Sequence, residues 1–134
     1  GKKRKFYFSR EFNPNIARNK KVDASENRFL YNMELRRNEP HYRSTPMTYG
    51  WVHESLLLRA TLLKQKFIDK IKTPILILSS ANDTVVENEP QFIFAEKCPV
   101  CEIVSVENTN HSMLTAKQEI IVEHINKTLE FFSS

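Results

Sequence analysis

Two residues stand where chemistry could take place. Asp83 follows the apolar run Ile75–Ser80, and His111 lies in Asn108-Thr-Asn-His-Ser112, just beyond a second run that ends at Val106. A carboxylate against an imidazole fixes the ring's tautomer and stabilises the imidazolium formed when the ring takes a proton, so such a pair can activate a nucleophile. An Asp at a strand end also makes turns by itself, and a loop His needs no partner. Residue type and spacing alone leave both readings open.

The elements that would position the pair follow from local pattern. Ile75 to Ser79 is a continuous apolar run bounded by Pro74 and by Ser80, Asn82 and Asp83, as expected of a strand buried on both faces. Glu102 to Val106 alternates and reads as a second strand. Pro90 suits the first residue of a helix reaching Lys97. Thr115-x-x-Gln118 predicts a capping box opening a last helix with the stripe Ile121, Ile125, Leu129 and Phe132. Strand, helix, strand, helix implies a parallel pair with a right-handed crossover. In open α/β sheets ligands bind beyond the carboxyl ends of the strands, which is where Asp83 and His111 fall.

Upstream, Asn27 to Asn38 reads as a short helix ended by Glu39-Pro40, because the residue before proline is pushed out of the helical region. Thr45-Pro46 reads as a loop. A longer helix is expected from Tyr49 to Ile71, with Val52, Leu56, Ala60, Leu63, Phe67 and Ile71 on one stripe. Residues 1–25 read as an irregular basic segment that packs Phe6, Tyr7, Phe8 and Phe12 elsewhere. The expected organisation is thus 1–25, a helical region 26–72, and a βαβα unit 73–134.

Composition excludes much else. The 134 residues contain two glycines, Gly1 and Gly50. There is therefore no glycine-rich phosphate loop, no G-x-G-x-x-G dinucleotide turn and no G-x-S-x-G nucleophile elbow. Tight turns must be made by Asn, Asp, Ser and Pro. Net charge is +4, but residues 1–72 carry 17 Lys and Arg against 7 Asp and Glu, whereas residues 73–134 carry 3 against 9. The basic half suits phosphate groups or a solvated surface. No apolar run approaches a membrane span, and Lys2-Lys-Arg-Lys5 is not followed by the apolar stretch of a signal peptide. Two cysteines make no disulfide framework and fit a reducing compartment.

Other signals are weaker. Cys98-Pro-Val-Cys101 lacks the further ligands a zinc site needs, and a helix-end Cys98 lacks the favourable dipole of a redox thiolate. Lys2 to Phe8 interleaves bases with aromatics as single-strand binders do, yet no nucleic-acid-binding fold surrounds it. Glu102 and Glu107 do not form a glycosidase pair. His53 reads as a contact of the helical region, His124 as a surface residue and His41 as part of a loop.

The stretch Thr73-Pro-Ile-Leu-Ile-Leu-Ser-Ser-Ala-Asn-Asp-Thr-Val-Val86 resembles the strand and acid loop of α/β-hydrolases. Val104 to Leu114 resembles the strand and histidine loop that follow. Asn27-Arg-Phe-Leu-Tyr-Asn32 and Pro46-Met-Thr-Tyr-Gly-Trp-Val-His-Glu-Ser55 resemble the lid of bacterial lysophospholipases of the monoacylglycerol-lipase-like branch. The resemblance implies an α/β fold, the C-terminal portion of an α/β-hydrolase preceded by a helical lid. It implies Asp83 as triad acid, His111 as triad base, and Tyr49 and Trp51 as lid residues lining an acyl-chain funnel. It implies no cofactor and no metal. The substrate would be a lipid ester, and the expected location is cytoplasmic, with peripheral contact to an anionic inner membrane and no specific nucleic acid. The family's order is Ser, then acid, then His, and no Ser here lies in an elbow. The expectation is therefore a chain lacking the N-terminal half of the hydrolase core, inactive alone. The alternative is a non-catalytic basic α/β module binding anionic membrane or nucleic acid.

Overall fold

A computed structural model describes residues 12, 13, 15, 24–43 and 47–133. The basic and aromatic run Lys2–Phe8 and the Thr45-Pro46 loop lie outside the described residues.

Helix α1 spans Glu26–Asn38. Ser25 caps it, its hydroxyl oxygen accepting the Arg28 amide at 3.4 Å, and the chain leaves the helix at Glu39 in extended conformation as the following proline requires. A single 3-10 turn, Pro40–Tyr42, follows. Arg43 folds back to donate to the Arg36 and Arg37 carbonyls, satisfying acceptors left open at the helix end. Phe12 lies beneath the Arg36 and Arg43 guanidinium groups, with centroid distances of 5.2 and 4.9 Å.

The helix expected from Tyr49 to Ile71 is two helices. Helix α2 runs Tyr49–Leu62, capped by the Thr48 hydroxyl on the Trp51 amide, and α3 is the single turn Gln65–Ile68. Lys64 is extended, with ψ 126°, and breaks the run without proline or glycine. The burial of Ile68 and contacts with Lys97 explain the break. Ile68 is fully buried, whereas Leu56 and Phe67 of the expected stripe are exposed. Lys97 donates to the Leu63 carbonyl at 3.3 Å, and Gln65 reaches the Lys97 carbonyl at 3.4 Å.

Strand β1 is Ile75–Ser80, α4 is Glu89–Lys97 and β2 is Cys101–Val106. The strands pair in parallel, Ile75 beside Cys101 through Ser80 beside Val106. Alternation puts Leu76, Leu78, Ser80, Val104 and Val106 on one face. That face meets helix α5, Gln118–Ser133, in a cluster of Val106, Ala116, Ile120 and Ile121, flanked by Leu78 and Met113. The run Ile75–Leu78 is only half-buried, not covered on both faces as expected, because among the described residues the sheet has two strands.

Helix α5 departs from its expected start and stripe. The Thr115 hydroxyl bonds the Ser112 carbonyl within a 3-10 turn, Met113–Thr115, and Gln118 accepts from Arg28 instead of completing a capping box. The buried positions are Ile120, Ile121 and His124, while Ile125, Leu129 and Phe132 are exposed. Only the first two turns of α5 hold core residues, so the face is set by the strand ends and not by the helix's full apolar period.

Candidate active site

The βαβ unit delivers two loops to the same end of the sheet. The first leaves β1 at Ser80 and reaches α4 at Asn88. Its ends are tied together by Asn88, whose carboxamide donates to the Ser80 carbonyl at 2.6 Å. Within it, Asp83 folds its carboxylate over its own backbone: Oδ1 accepts the amides of Val85 at 2.8 Å and Val86 at 3.1 Å. This is the local turn chemistry expected of Asp after a strand, and it leaves Oδ2 free to face the neighbouring loop.

The second loop leaves β2 at Val106. Asn108 takes a left-handed conformation, φ 56°, which Asn tolerates better than most residues and which glycine would otherwise supply. Thr109 then turns inward and is almost completely buried. Asn110 accepts the Ser112 amide at 2.9 Å, closing a turn around His111. The result brings His111 Nδ1 to 3.0 Å from Asp83 Oδ2.

The pair is asymmetric. The Asp83 side chain is 6% exposed and the His111 side chain 50% exposed. Burial raises the Asp83 carboxyl, but the Val85 amide, His111 and the Val86 amide together hold it below its ordinary 3.8. Asp83 is therefore an acceptor at neutral pH. That puts the neutral ring's proton on Nδ1 and turns the Nε2 lone pair away from the carboxylate, the arrangement a general base needs.

Tyr49 and Trp51 occupy the first turn of α2, 49% and 58% exposed. Arg59 of α2 pairs at 2.8 Å with Glu87, in the loop that carries Asp83. On the other side, residues 24–28 grip the segment after His111. The Ser25 amide donates to the Thr115 carbonyl at 2.8 Å, and Arg28 donates to Gln118. A shallow cleft of about 350 Å³ lies there, lined by Asn27, Arg28, Tyr31, Asn32, Leu35, Leu114 and Thr115.

The comparison with known families decides what this arrangement is part of. The family described as serine aminopeptidase, S33, matches residues 8–118, a span that includes both strands and both loops. The chain belongs to this family of α/β-hydrolases. No curated protein and no solved structure gives a significant match. Asp83 and His111 follow one another along the chain in the acid-then-His order that α/β-hydrolases use.

Other sequence signals resolve differently. Cys98 is buried and Cys101 half-buried, both as free thiols. Burial first, and then the neighbouring Cys98, push the Cys101 thiol above its ordinary 9.0, the opposite of an activated thiolate. Among the described residues there is no group of three His, Cys, Asp or Glu able to hold a metal, and no helix long and apolar enough to cross a membrane. His124, expected at the surface, is 4% exposed, and neither ring nitrogen has a hydrogen-bond partner among the described residues. Sequence reasoning also passed over Ser80, Asn88 and Thr109, whose polar atoms hold the two loops; Ser and Thr at strand ends carry no distinctive signal.

Proposed function

We propose that this chain supplies the acid and base of a serine hydrolase acting on lipid carboxylic esters, of the lysophospholipase or monoacylglycerol-lipase kind. The observation that carries the reading is the 3.0 Å contact between His111 Nδ1 and Asp83 Oδ2 beyond adjacent strand ends. His111 Nε2 would take the proton of a serine hydroxyl as that oxygen attacks the ester carbonyl. The same ring would then return the proton to the departing glycerol or glycerophospho alcohol, and water would repeat the cycle on the acyl-enzyme. Asp83 keeps the proton on Nδ1 and stabilises the imidazolium formed in each half-reaction.

Lipid as the substrate class is supported by α2. Tyr49, Trp51, Leu56, Leu57, Leu58 and Leu62 are all between 45% and 60% exposed, an unusually apolar exterior for a helix. A helix of this kind can receive an acyl chain or rest on a lipid surface. The positive residues of 1–72 suit phosphate headgroups and an anionic membrane. The nucleophile and the oxyanion donors lie, in this reading, outside these 134 residues, since the sequence contains no G-x-S-x-G. The coding sequence upstream of Gly1 is where that elbow is expected.

The test compares two proteins. The 134-residue chain alone should neither hydrolyse short-chain esters nor react with a fluorophosphonate. The chain joined to an upstream segment bearing G-x-S-x-G should hydrolyse monoacyl glycerophospholipids, and His111→Ala should abolish this. Hydrolysis that survives His111→Ala would remove the base assignment. Preference for aminoacyl amides over monoacyl esters would replace the lipid reading with a peptidase one.

A further inference from the structure

The His111 ring is half-exposed, and Asp83 is its hydrogen-bond partner among the described residues. Its position therefore depends on what holds the two loops in register. The inward side of that junction is one buried polar node. Thr109 Oγ1 lies 2.7 Å from the Val106 carbonyl and 3.1 Å from Ser80 Oγ. A hydroxyl has a single hydrogen. The shorter contact to the carbonyl takes it, so Thr109 donates to Val106 and accepts from the Ser80 hydroxyl. The Val106 carbonyl also accepts the Ala81 amide at 3.0 Å, and the Ser80 carbonyl accepts Asn88. Thr109 and Ser80 are 1% and 4% exposed.

Stability alone does not call for hydroxyls here. Two buried partners replaced together by apolar groups of similar shape are often neutral, and the adjoining cluster is Val106, Ala116, Ile120 and Ile121. What a hydrogen bond adds over apolar packing is direction. The link runs from the last residue of β1, three positions before Asp83, to the residue two positions before His111. We propose that Thr109, acting with Ser80, is a positioning residue: its buried hydroxyl locks the histidine loop to the acid loop and so holds the His111 ring against Asp83 with the proton on Nδ1. This inference rests on the reading of Asp83 and His111 as acid and base.

The ring's tautomer reports the lock directly. With ¹⁵N-labelled 134-residue chain, above the pH at which the ring is protonated, the parent should show a protonated Nδ1 and an unprotonated Nε2 at His111. Thr109→Ser, which keeps the hydroxyl, should preserve that pattern. Thr109→Val, and Ser80→Ala, should lose it, with the two ring nitrogens converging as the tautomers exchange. A folded Thr109→Val whose His111 stays entirely in the Nδ1–H form overturns the proposal, as does a Thr109→Ser that behaves like valine. If Thr109→Val fails to fold, Ser80→Ala reads the same link. Collapse of amide dispersion in both would assign the hydroxyls to stability alone and overturn it too. Failure of the acid–base reading itself would show separately, as ester hydrolysis by the extended protein that is indifferent to His111→Ala while the tautomer pattern stands.

Discussion

Replacing Asp83 by Asn tests how much the acid loop relies on charge. The carboxylate accepts three hydrogen bonds, from the Val85 and Val86 amides and from His111 Nδ1. A bond to a charged acceptor contributes about 1.5–3 kcal/mol and a neutral one about 0.5–1.5, so neutralisation costs about 1 kcal/mol per bond. Val85, Val86 and His111 are exposed, and water recovers part of that loss. The expected destabilisation at neutral pH is about 2 kcal/mol, read in urea as a midpoint lower by roughly 1 M. The pH dependence has a definite sign. The folded-state carboxyl is held below its ordinary 3.8, so its stabilisation is fully present above that value and is lost as pH falls through the lower, folded one. The gap between parent and variant should therefore close as pH falls below about 4. A variant within about 0.5 kcal/mol of the parent at pH 7, or a gap that fails to close below about pH 4, would refute the assignment.

Three further outcomes follow from other parts of the fold. Ile68→Ala empties a site with no solvent exposure, and a loss of about 2–5 kcal/mol is expected in thermal or urea unfolding, with α3 and the adjoining end of α4 losing hydrogen-exchange protection first. Asn108→Gly should leave stability within a few tenths of a kcal/mol or raise it, whereas Asn108→Val should cost about 1–3 kcal/mol because a β-branched residue resists positive φ; both are read by urea midpoint. Thiol labelling of the native chain at neutral pH should be slow at Cys101 and slower at Cys98, and Cys101 labelling should accelerate only above pH 9, consistent with its raised thiol pKa.

The strands and their loops were legible because their cues are local. An apolar run between Pro74 and Asn82-Asp83 specifies a strand and the turn after it, and a parallel partner then has one place to put His111. The break at Lys64 had no such cue. Neither Gly nor Pro marks it, and it exists because Ile68 is buried while Lys97 and Gln65 satisfy the backbone around it. The same holds for His124 and for Thr115. Helical period placed one at the surface and spacing made the other a cap, but contacts from residues far along the chain decided both. Thr109 lies between these cases: an Asn-rich turn was predictable from the shortage of glycine, but which of its side chains would point inward was not.

The contact between Asp83 and His111 hangs on a ladder of backbone hydrogen bonds, where neighbouring strands sit about 4.8 Å apart whatever their side chains. The region before Thr73-Pro74 is joined differently. Apart from Ile68, its links to α4 and the acid loop are single side-chain contacts at the surface, Arg59 to Glu87, Lys97 to Leu63 and Gln65 to Lys97. Exposed contacts of that kind are worth about 1 kcal/mol or less each. Substitution at those surface contacts is thus cheap, whereas drift in the strands moves Asp83 and His111. For a designer, the seam at residues 72–74 is a natural recombination point, provided that an exchanged helical region keeps the backbone bond of Ser25 to Thr115 that holds the segment after His111.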